Sequence, residues 1–386
     1  MSFTGKSTYA AGAALPEIAE DIADLVSIVS PYETPLLDAL GDPLRAAAST
    51  RHEWLEDSLL PNLARVNQPS LEDSSTNTVT FTLAEAGVVR VGDLLKPEGS
   101  REVLLVTAVS GADITVTRGY GGTVKAIINN AQGLSVLGNA ALEGDDAGAP
   151  RFTTRVRKSN FTQIFSAAVQ VSGTEAAVRQ AAVEDEMDYQ KQSRLRELLR
   201  DLENTVINGV APTTTPEGSA TVRRTMRGII GSLTTNVFAP GVSDFLSDGA
   251  LSEDQLNMAL RNIWLRGSAK VDTIVVGGMQ KRRINGFIAA SQRFASSAEA
   301  FKNLVSSYES DFGVCRIVLS RYVPADSVLL LDSTRLAVLP LAGRSFQFRP
   351  LAATGDYLSG ELLGEYTLEL RNESAHGLIR GLSTTA

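Results

Sequence analysis

The sequence predicts an α+β protein, and three stretches of different texture support that prediction. Apolar residues between Thr174 and Asn208 recur at intervals of three, four and eight, which places them on one face of a long helix. Residues 70–142 consist of short runs in which apolar and polar residues alternate, as in antiparallel strands, with glycines between the runs. Residues 252–341 combine a helical pattern with several short apolar strands. Separate lobes of strands and helices are therefore expected around the long helix.

Composition limits the class of protein. With 386 residues and 43% hydrophobic content, the chain can bury a substantial core and form two or three lobes. Its formal net charge of -8 argues against a dedicated nucleic-acid binder and leaves only nonspecific contact with nucleic acid. The sequence has no apolar run of about 18 residues and no charged-then-apolar leader. We therefore expect no membrane association and synthesis in a cytoplasm.

The first 50 residues predict an arm without a core of its own. Residues 1–14 are small and polar, and a short amphipathic helix follows them and stops at Ser30-Pro31. A second short helical stretch covers residues 35–44 and is interrupted by Gly41 and Pro43. We expect this arm to lie across other surfaces of the protein.

Residues 51–168 predict a long hairpin loop that carries a small β module. The outgoing strand starts at residue 51, and the module occupies about residues 70–142, with a hairpin signal at Ser110-Gly111-Ala112-Asp113. The return strand has the sequence RFTTRVRKSN, residues 151–160. Alternation places three of its basic residues on one face, and a fourth follows them: Arg151, Arg155 and Arg157, then Lys158.

The long helix is predicted over residues 174–208, within a lobe of residues 169–235. Ser172-Gly173-Thr174 supplies a cap and Asn208-Gly209 a stop. At about 1.5 Å per residue the helix would be roughly 50 Å long and act as a strut. Carboxylates crowd its first half and arginines its second half, as the helix dipole favours. The acidic residues are Glu184, Asp185, Glu186 and Asp188.

A compact α/β lobe is predicted over residues 236–345. Its first helix starts with the capping box Ser252-Glu253-Asp254-Gln255. A buried strand at residues 271–276 is followed by the turn Gly277-Gly278 and a second helix. The tail, residues 346–386, alternates again and should return to the sheet beside the long helix.

Candidate chemistry is sparse, so we predict no catalytic, cofactor-binding or metal-binding residues. The two histidines, His52 and His376, stand in no catalytic signature, and Cys315 lies in an apolar run typical of a buried thiol. No His/Cys spacing matches a zinc site. The glycine clusters at residues 114–123 and 274–287 lack the phosphate-loop motifs. An α/β enzyme or nucleotide-binding protein with an accessory β domain, centred on Gly277-Gly278, remains the alternative.

Several motifs resemble one known family. In chain order they are VGDLL (91–95), SREVLLVTAV (100–109), TVTRGYGGT (115–123), NFTQIF (160–165), VSGTEAAV (171–178) and LAATGDYLSGELLGEYTLELRNESAHGLIRGL (351–382). They resemble the major capsid proteins of tailed phages, in the subgroup of the Hong Kong 97-like fold whose extended loop carries a β insertion. The resemblance implies an N-terminal arm (1–50), an extended loop (51–168), a peripheral domain with a spine helix (169–235), an axial domain (236–345) and a C-terminal return (346–386).

The resemblance also implies a function without catalysis. The chain would form hexamers and pentamers that close into an icosahedral head around double-stranded DNA, in a virion assembled in a bacterial cytoplasm. Separate scaffolding, portal and decoration proteins would be its partners. The loop of one subunit would lie over the peripheral domain of the next, so Arg151, Arg155, Arg157 and Lys158 are expected to contact the neighbour's Glu184, Asp185, Glu186 and Asp188. No covalent crosslink is predicted. A tail or scaffold protein is a third hypothesis.

Overall fold

A computed structural model provides the structure of the chain. It describes residues 33–384 except 42, 44, 58, 73–75, 145–150, 178–185, 243–244, 246–248, 268–269, 292–306 and 353–354. The chain divides into two compact units. One unit contains Met1–Trp54 and Arg157–Ala386, and the other is Leu55–Val156.

Helices and two sheets make up the larger unit. Its helices are α1 (Pro35–Leu40), α2 (Gly173–Ala177), α3 (Glu186–Asn208), α4 (Ile229–Ser232), α5 (Glu253–Gly267) and α6 (Gly278–Ser291). Its strands after residue 160 are β9 (Gln163–Ser172), β10 (Val237–Phe238), β11 (Thr273–Val276), β12 (Ser307–Ser310), β13 (Gly313–Leu319), β14 (Val328–Leu331), β15 (Leu336–Pro340), β16 (Gln347–Pro350), β17 (Tyr357–Leu370) and β18 (Gly377–Ile379). Two further strands, β1 (Arg51–Glu56) and β8 (Val156–Phe161), pair with each other where the chain passes from one unit to the other.

The long strand β17 is the centre of the first sheet. It pairs antiparallel with β9 along ten residues, and with β16 and β15 along its other edge. Alternation in β9 directs Phe165, Val169 and Val171 into a core that they share with Leu202 and Val206 of α3. The tail therefore returns to the sheet beside the long helix.

Two glycines of β17 make room for aromatic rings from the adjoining segment. A Cβ atom at Gly360 would lie 2.0 Å from Cζ of Phe348, and one at Gly364 would lie 2.4 Å from a ring carbon of Phe346. Both rings pack against the core of α3. Glycine is therefore required at these positions for close packing rather than for a turn.

The second sheet has the order β10-β18-β14-β11-β13-β12. Its strand β11 runs parallel to β13 and antiparallel to β14. One face, with Ile274 and Val276, packs on α5 and α6, and the other face, with Val275 and Leu329, contributes to the core of α3. The α5 capping box is present: Ser252 Oγ accepts from Gln255 N and Gln255 Oε1 accepts from Ser252 N, both at 3.2 Å.

The smaller unit, Leu55–Val156, is a six-stranded β structure. Its strands are β2 (Leu63–Arg65), β3 (Thr78–Thr82), β4 (Asp93–Pro97), β5 (Leu104–Ser110), β6 (Asp113–Thr117) and β7 (Gly133–Asn139). They pair in the order β2-β7-β4-β5-β6-β3. An antiparallel bridge between Val66 and Leu83 joins the two ends of that order, so the sheet closes into a small barrel. Its interior is apolar.

The structure differs from several predicted boundaries. The β module starts at Leu63, earlier than residue 70, because β2 completes the barrel. Residues 151–155 form no strand, so the predicted return strand starts only at Val156. Residues 163–168, assigned to the loop, belong to β9 of the first sheet.

Two further boundaries differ near the end of the chain. β15, placed by the sequence in the axial domain, pairs with β17 in the first sheet. β18 of the tail pairs with β14 in the second sheet. Both assignments depend on pairing between strands far apart in sequence, which local alternation does not specify.

The predicted long helix is described in two parts. α2 begins at Gly173 and α3 ends at Asn208, close to the predicted ends. The intervening residues 178–185, with Glu184 and Asp185, lie outside the described residues. Among the described helices, none is long and apolar enough to cross a membrane.

Candidate subunit-contact surfaces

Arg151, the first of the predicted contact residues, is bound within the smaller unit. Its guanidinium group donates to the carbonyl oxygens of Gly87 at 2.7 Å and Val88 at 2.9 Å. These hydrogen bonds connect the segment before β8 to the loop that precedes β4. Arg151 is therefore already engaged in holding its own unit together.

Arg155 and Arg157 each have an acidic neighbour in their own unit. Arg155 Nε lies 3.9 Å from Asp57 Oδ2, to which Thr153 also donates at 3.1 Å. Arg157 lies 3.4 Å from Glu53, which also binds Arg51 at 2.9 Å. The side chains of Arg155 and Arg157 remain 70% and 67% exposed. Because exposed ion pairs of this length are weak, both guanidinium groups can still bind a further carboxylate.

Lys158 is exposed, and its positive charge affects the pKa of Glu373 in its own unit. Burial raises the pKa of Glu373, but hydrogen bonds from Thr235 and Thr234, with the charge of Lys158, outweigh that effect and leave the pKa below its usual value. Glu373 accepts from the backbone N–H groups of Thr234 at 2.6 Å and Thr235 at 2.7 Å. The basic residues of 151–158 thus have separate local partners.

The described acidic residues of the helix start are also locally bound. Glu186 accepts from Gln190 Nε2 at 2.7 Å, and Asp188 pairs with Lys191 at 2.7 Å. The Asp188 side chain is 62% exposed. Its spacing to Lys191 is that of neighbours on one helix face.

Two buried glutamates of β17, Glu365 and Glu369, were not predicted from the sequence. Glu369, with a side chain only 1% exposed, binds His52 Nε2 at 2.6 Å and pairs with Arg45 and Arg371. Burial raises its pKa, but the hydrogen bond from His52 and the charges of Arg45, His52 and Arg371 outweigh burial, so the pKa lies below its usual value. His52 stands at the start of β1, so this cluster fixes the origin of the outgoing strand.

Glu365, on the same strand, repeats the arrangement. It pairs with Arg344 at 2.8 Å and with Arg224, and it accepts from the Thr162 hydroxyl. Glu361, Glu365 and Glu369 recur every four residues in an alternating strand, which places them on one face. That recurrence is the signal that could have revealed the cluster.

The residues weighed for catalysis have structural environments. Cys315 is 1% exposed, and burial is the main cause that raises its pKa to about 11, so it is not a ready nucleophile. Gly277-Gly278 connects β11 to α6 as a tight turn. Within the described residues, no group of His, Cys, Asp and Glu could hold a metal ion.

An open cavity of about 900 Å³ is lined by Gln163, Ile164 and residues 217–225. The charged residues in its lining are Glu217, Arg223 and Arg224, and Arg224 is paired with Glu365. This lining offers no nucleophile with an adjacent base.

The described residues form an α+β unit, in which α3 packs against one of the sheets, and a separate six-stranded β unit. The chain belongs to the family described as SU10 major capsid protein, whose family model matches residues 2–383. This match confirms the sequence-based resemblance to phage major capsid proteins of the Hong Kong 97-like fold. None of the curated proteins compared with the chain matches it.

The chain is also similar to chains of solved phage and encapsulin structures, at low identity. A cyanophage A-1(L) capsid chain is 12% identical, with a TM-score of 0.45 over 64% of this chain and 85% of the other. A chain of Microbacterium phage Oxtober96 is 14% identical, with a TM-score of 0.42 over 82% and 89%. The SrpI encapsulin of Synechococcus elongatus PCC 7942 is 13% identical, with a TM-score of 0.44 over 61% and 79%. The assignment rests on the family match.

Proposed function

We propose that this major capsid protein assembles as hexamers and pentamers into an icosahedral head that encloses double-stranded DNA. The family match over residues 2–383 is the observation that carries the proposal. In this proposal, separate scaffolding and portal proteins direct assembly, decoration proteins bind the finished shell, and the subunit is made in the cytoplasm of a bacterial host. Contact with the packaged DNA is nonspecific, because the net charge of -8 offers no strong attraction to phosphate.

The surface of the smaller unit supports assembly. Leu59, Val124 and Phe152 are 93%, 85% and 82% exposed. Water-exposed apolar side chains of this size favour burial against a partner. In a shell, neighbouring copies supply that partner, and an obligate contact buries on the order of 2,000 Å² or more.

The charged surfaces supply a second contribution to the same contact. We place Arg155 and Arg157 of one copy against the acidic helix start of the next, with Glu184, Asp185, Glu186 and Asp188. High exposure of the two arginines and of Asp188 supports this pairing. Lys158 belongs to the rim of the contact. Arg151 is assigned the lesser share, because its donors are already bound to Gly87 and Val88.

Particle formation tests the proposal directly. The full-length chain is expressed with and without co-expressed scaffolding protein, then examined by light scattering and negative-stain microscopy. Closed shells, or tubes of hexamers, are expected. A stable monomer that binds a nucleotide at micromolar affinity, with binding lost in Gly278→Val, would favour the enzyme hypothesis, and rods or rings would favour a tail protein.

A further inference from the structure

Glu203 of α3 is a buried carboxylate whose bonds reach a distant part of the chain. The residue is 0% exposed. Both of its oxygens accept from Leu36 N at 3.1 Å, and Oε2 also accepts from Leu37 N at 3.1 Å. Ser320 donates to Oε1 at 3.1 Å. The contacts of Glu203 are thus amide and hydroxyl donors, and none of these donors carries a positive charge.

The two amides belong to the first turn of α1, where N–H groups have no acceptor within the helix. Thr34 at the N-cap position makes no side-chain cap. Glu203 therefore replaces the missing cap from 167 positions away. Its negative charge also lies at the end of α1 where the helix dipole favours an anion.

The other end of α1 is held by a charge of opposite sign. Arg316 donates to the carbonyl oxygen of Ala39 at 2.8 Å. Between the two ends, Leu36 is fully buried in the core that contains α3. Before α1, Glu33 accepts from the Tyr322 hydroxyl at 2.8 Å and lies 3.8 Å from Arg321. The N-terminal segment is therefore fastened at three points along residues 33–40.

Burial of Glu203 opposes its charge. Desolvation raises its pKa, the amides of Leu37 and Leu36 and the hydroxyl of Ser320 offset part of that rise, and the charge of Asp38 adds to it. The amides of α1 are thus a main compensation for a carboxylate that has been removed from water. Loss of α1 from its place would leave the Ser320 hydroxyl as the donor to Glu203 among the described residues.

We infer that Glu203 is a positioning residue that docks the N-terminal segment, and that docking of residues 33–40 is a conformational step separate from folding of the rest of the subunit. Glu203 fixes the position of residues 36 and 37 at the start of α1. Segment docking can then change while the two sheets stay intact. The inference concerns the single chain and does not depend on the proposed shell.

Hydrogen exchange on the full-length chain tests this inference with Glu203→Gln. Gln presents one acceptor oxygen, and its amide N–H₂ opposes the backbone donors. Loss of one charge-assisted bond should speed exchange of the Leu36 and Leu37 amides by about tenfold or more. The urea midpoint of global unfolding should not fall, because the cost of burying a charge is removed at the same time.

Glu197→Gln is the matched control, since Glu197 lies on the same helix and pairs with Arg194 at the surface. It should leave the exchange of Leu36 and Leu37 unchanged. If Glu203→Gln does not fold, the exposed Arg316→Gln releases the other end of α1 and should speed exchange in residues 36–40 without lowering the midpoint. Unchanged exchange in α1, or equal loss of protection in α1 and β17, would overturn the inference. Particle formation is scored separately, so failure of assembly does not decide the result.

Discussion

His376 is enclosed with both ring nitrogens occupied. Its Nδ1 accepts from Asp332 N at 3.2 Å, and its Nε2 lies 3.3 Å from the Arg371 carbonyl oxygen, to which it donates. This arrangement fits the neutral ring with its proton on Nε2. Protonation would set an N–H group at Nδ1 against the amide of Asp332. Burial accordingly lowers the pKa of His376 from its usual value of 6.5.

Stability of the chain should therefore decrease in mild acid through His376. The contribution of neutral His376 to the free energy of unfolding is fully present above pH 6.5, the usual pKa of histidine. It is lost as the pH falls from there toward the lowered pKa of His376 in the folded chain, because in this range only the unfolded chain binds the proton. The slope of this loss is at most about 1.4 kcal/mol per pH unit. Urea unfolding of the unassembled chain between pH 8 and pH 5 measures it.

His376→Gln should reduce the loss, since glutamine does not titrate. His52 and its bond to Glu369 stay in place in this variant, so the difference between the two pH profiles reports on His376. Equal pH profiles for wild type and His376→Gln would contradict this assignment.

The contacts of Arg118 give the glycine-containing stretch TVTRGYGGT a structural role that involves no bound phosphate. Its guanidinium group binds both oxygens of Glu102, at 2.9 and 2.7 Å, with both side chains fully buried. Glu102 also accepts from Gly119 N at 3.2 Å and Ala126 N at 2.8 Å. Gly119 adopts a positive φ of 65°, and a Cβ atom there would lie 2.9 Å from the Thr123 carbonyl oxygen. The motif therefore closes one end of the barrel around a buried ion pair.

Removal of Arg118 alone should strongly destabilise the barrel. Arg118→Met leaves Glu102 as an unpaired buried charge, which costs about 3–5 kcal/mol. Arg118→Met with Glu102→Gln should recover a large part of that loss, because the glutamine oxygen still accepts an amide without carrying a charge. Exchange rates of the β5 and β6 amides in the full chain report both effects. A double variant as unstable as the single one would contradict the ion-pair explanation.

At the scale of elements, local signals in the sequence predicted well and long-range pairing did not. The α5 capping box and the two-residue turn Gly111-Ala112 between β5 and β6 involve neighbours in sequence, so their residue types specify them. β2 is three residues long and pairs with β7 about 70 positions later. Such a strand has no distinctive pattern of its own. The glutamates of β17 were missed because their arginine partners come from separate loops.

The barrel boundary leads to a prediction about fragments. Residues 70–142, the module defined from sequence, omit β2 and with it Ala64 and Val66, which are 0% and 2% exposed in the barrel core. Residues 60–144 include that strand and the bridge from Val66 to Leu83. The longer fragment should show cooperative thermal unfolding and a β-type circular dichroism spectrum.

The shorter fragment should unfold without a cooperative transition, since it exposes the edges of β7 and β3 and part of the core. Both fragments share the remaining strands, so each serves as the other's control. Equal cooperativity in the two would show that β2 is dispensable.

At the scale of the whole molecule, the sequence identified the family through the order of its motifs, whereas surface contacts needed the structure. Arg155 and Arg157 are close to Asp57 and Glu53 because two distant segments run side by side within each unit. The alternation of residues within RFTTRVRKSN does not indicate that Asp57 and Glu53 lie beside these arginines. They change how a test of the subunit contact must be designed, because a reversed arginine would meet a like charge in its own chain.

The proposed contact between copies should respond to charge reversal in a defined order. Arg155→Glu with Arg157→Glu should block assembly, but repulsion from Asp57 and Glu53 inside the chain could contribute to that result. The swapped variant adds Asp57→Lys, Glu53→Lys and Arg51→Glu, which keeps opposite charges in each internal pair, including that of residues 51 and 53, and still presents acid to the neighbour's acidic helix start. It should also fail to assemble at low salt, since each exposed pair is worth about 0.2–1 kcal/mol and the loss recurs in every subunit.

Glu184→Lys with Asp188→Lys in the same chain should then restore particles, and added salt should weaken the assembly of all assembling variants. Light scattering and negative-stain counts give the measurement, with circular dichroism as the control for folding; a swapped variant that assembles like wild type at low salt would show that these arginines do not face the helix start.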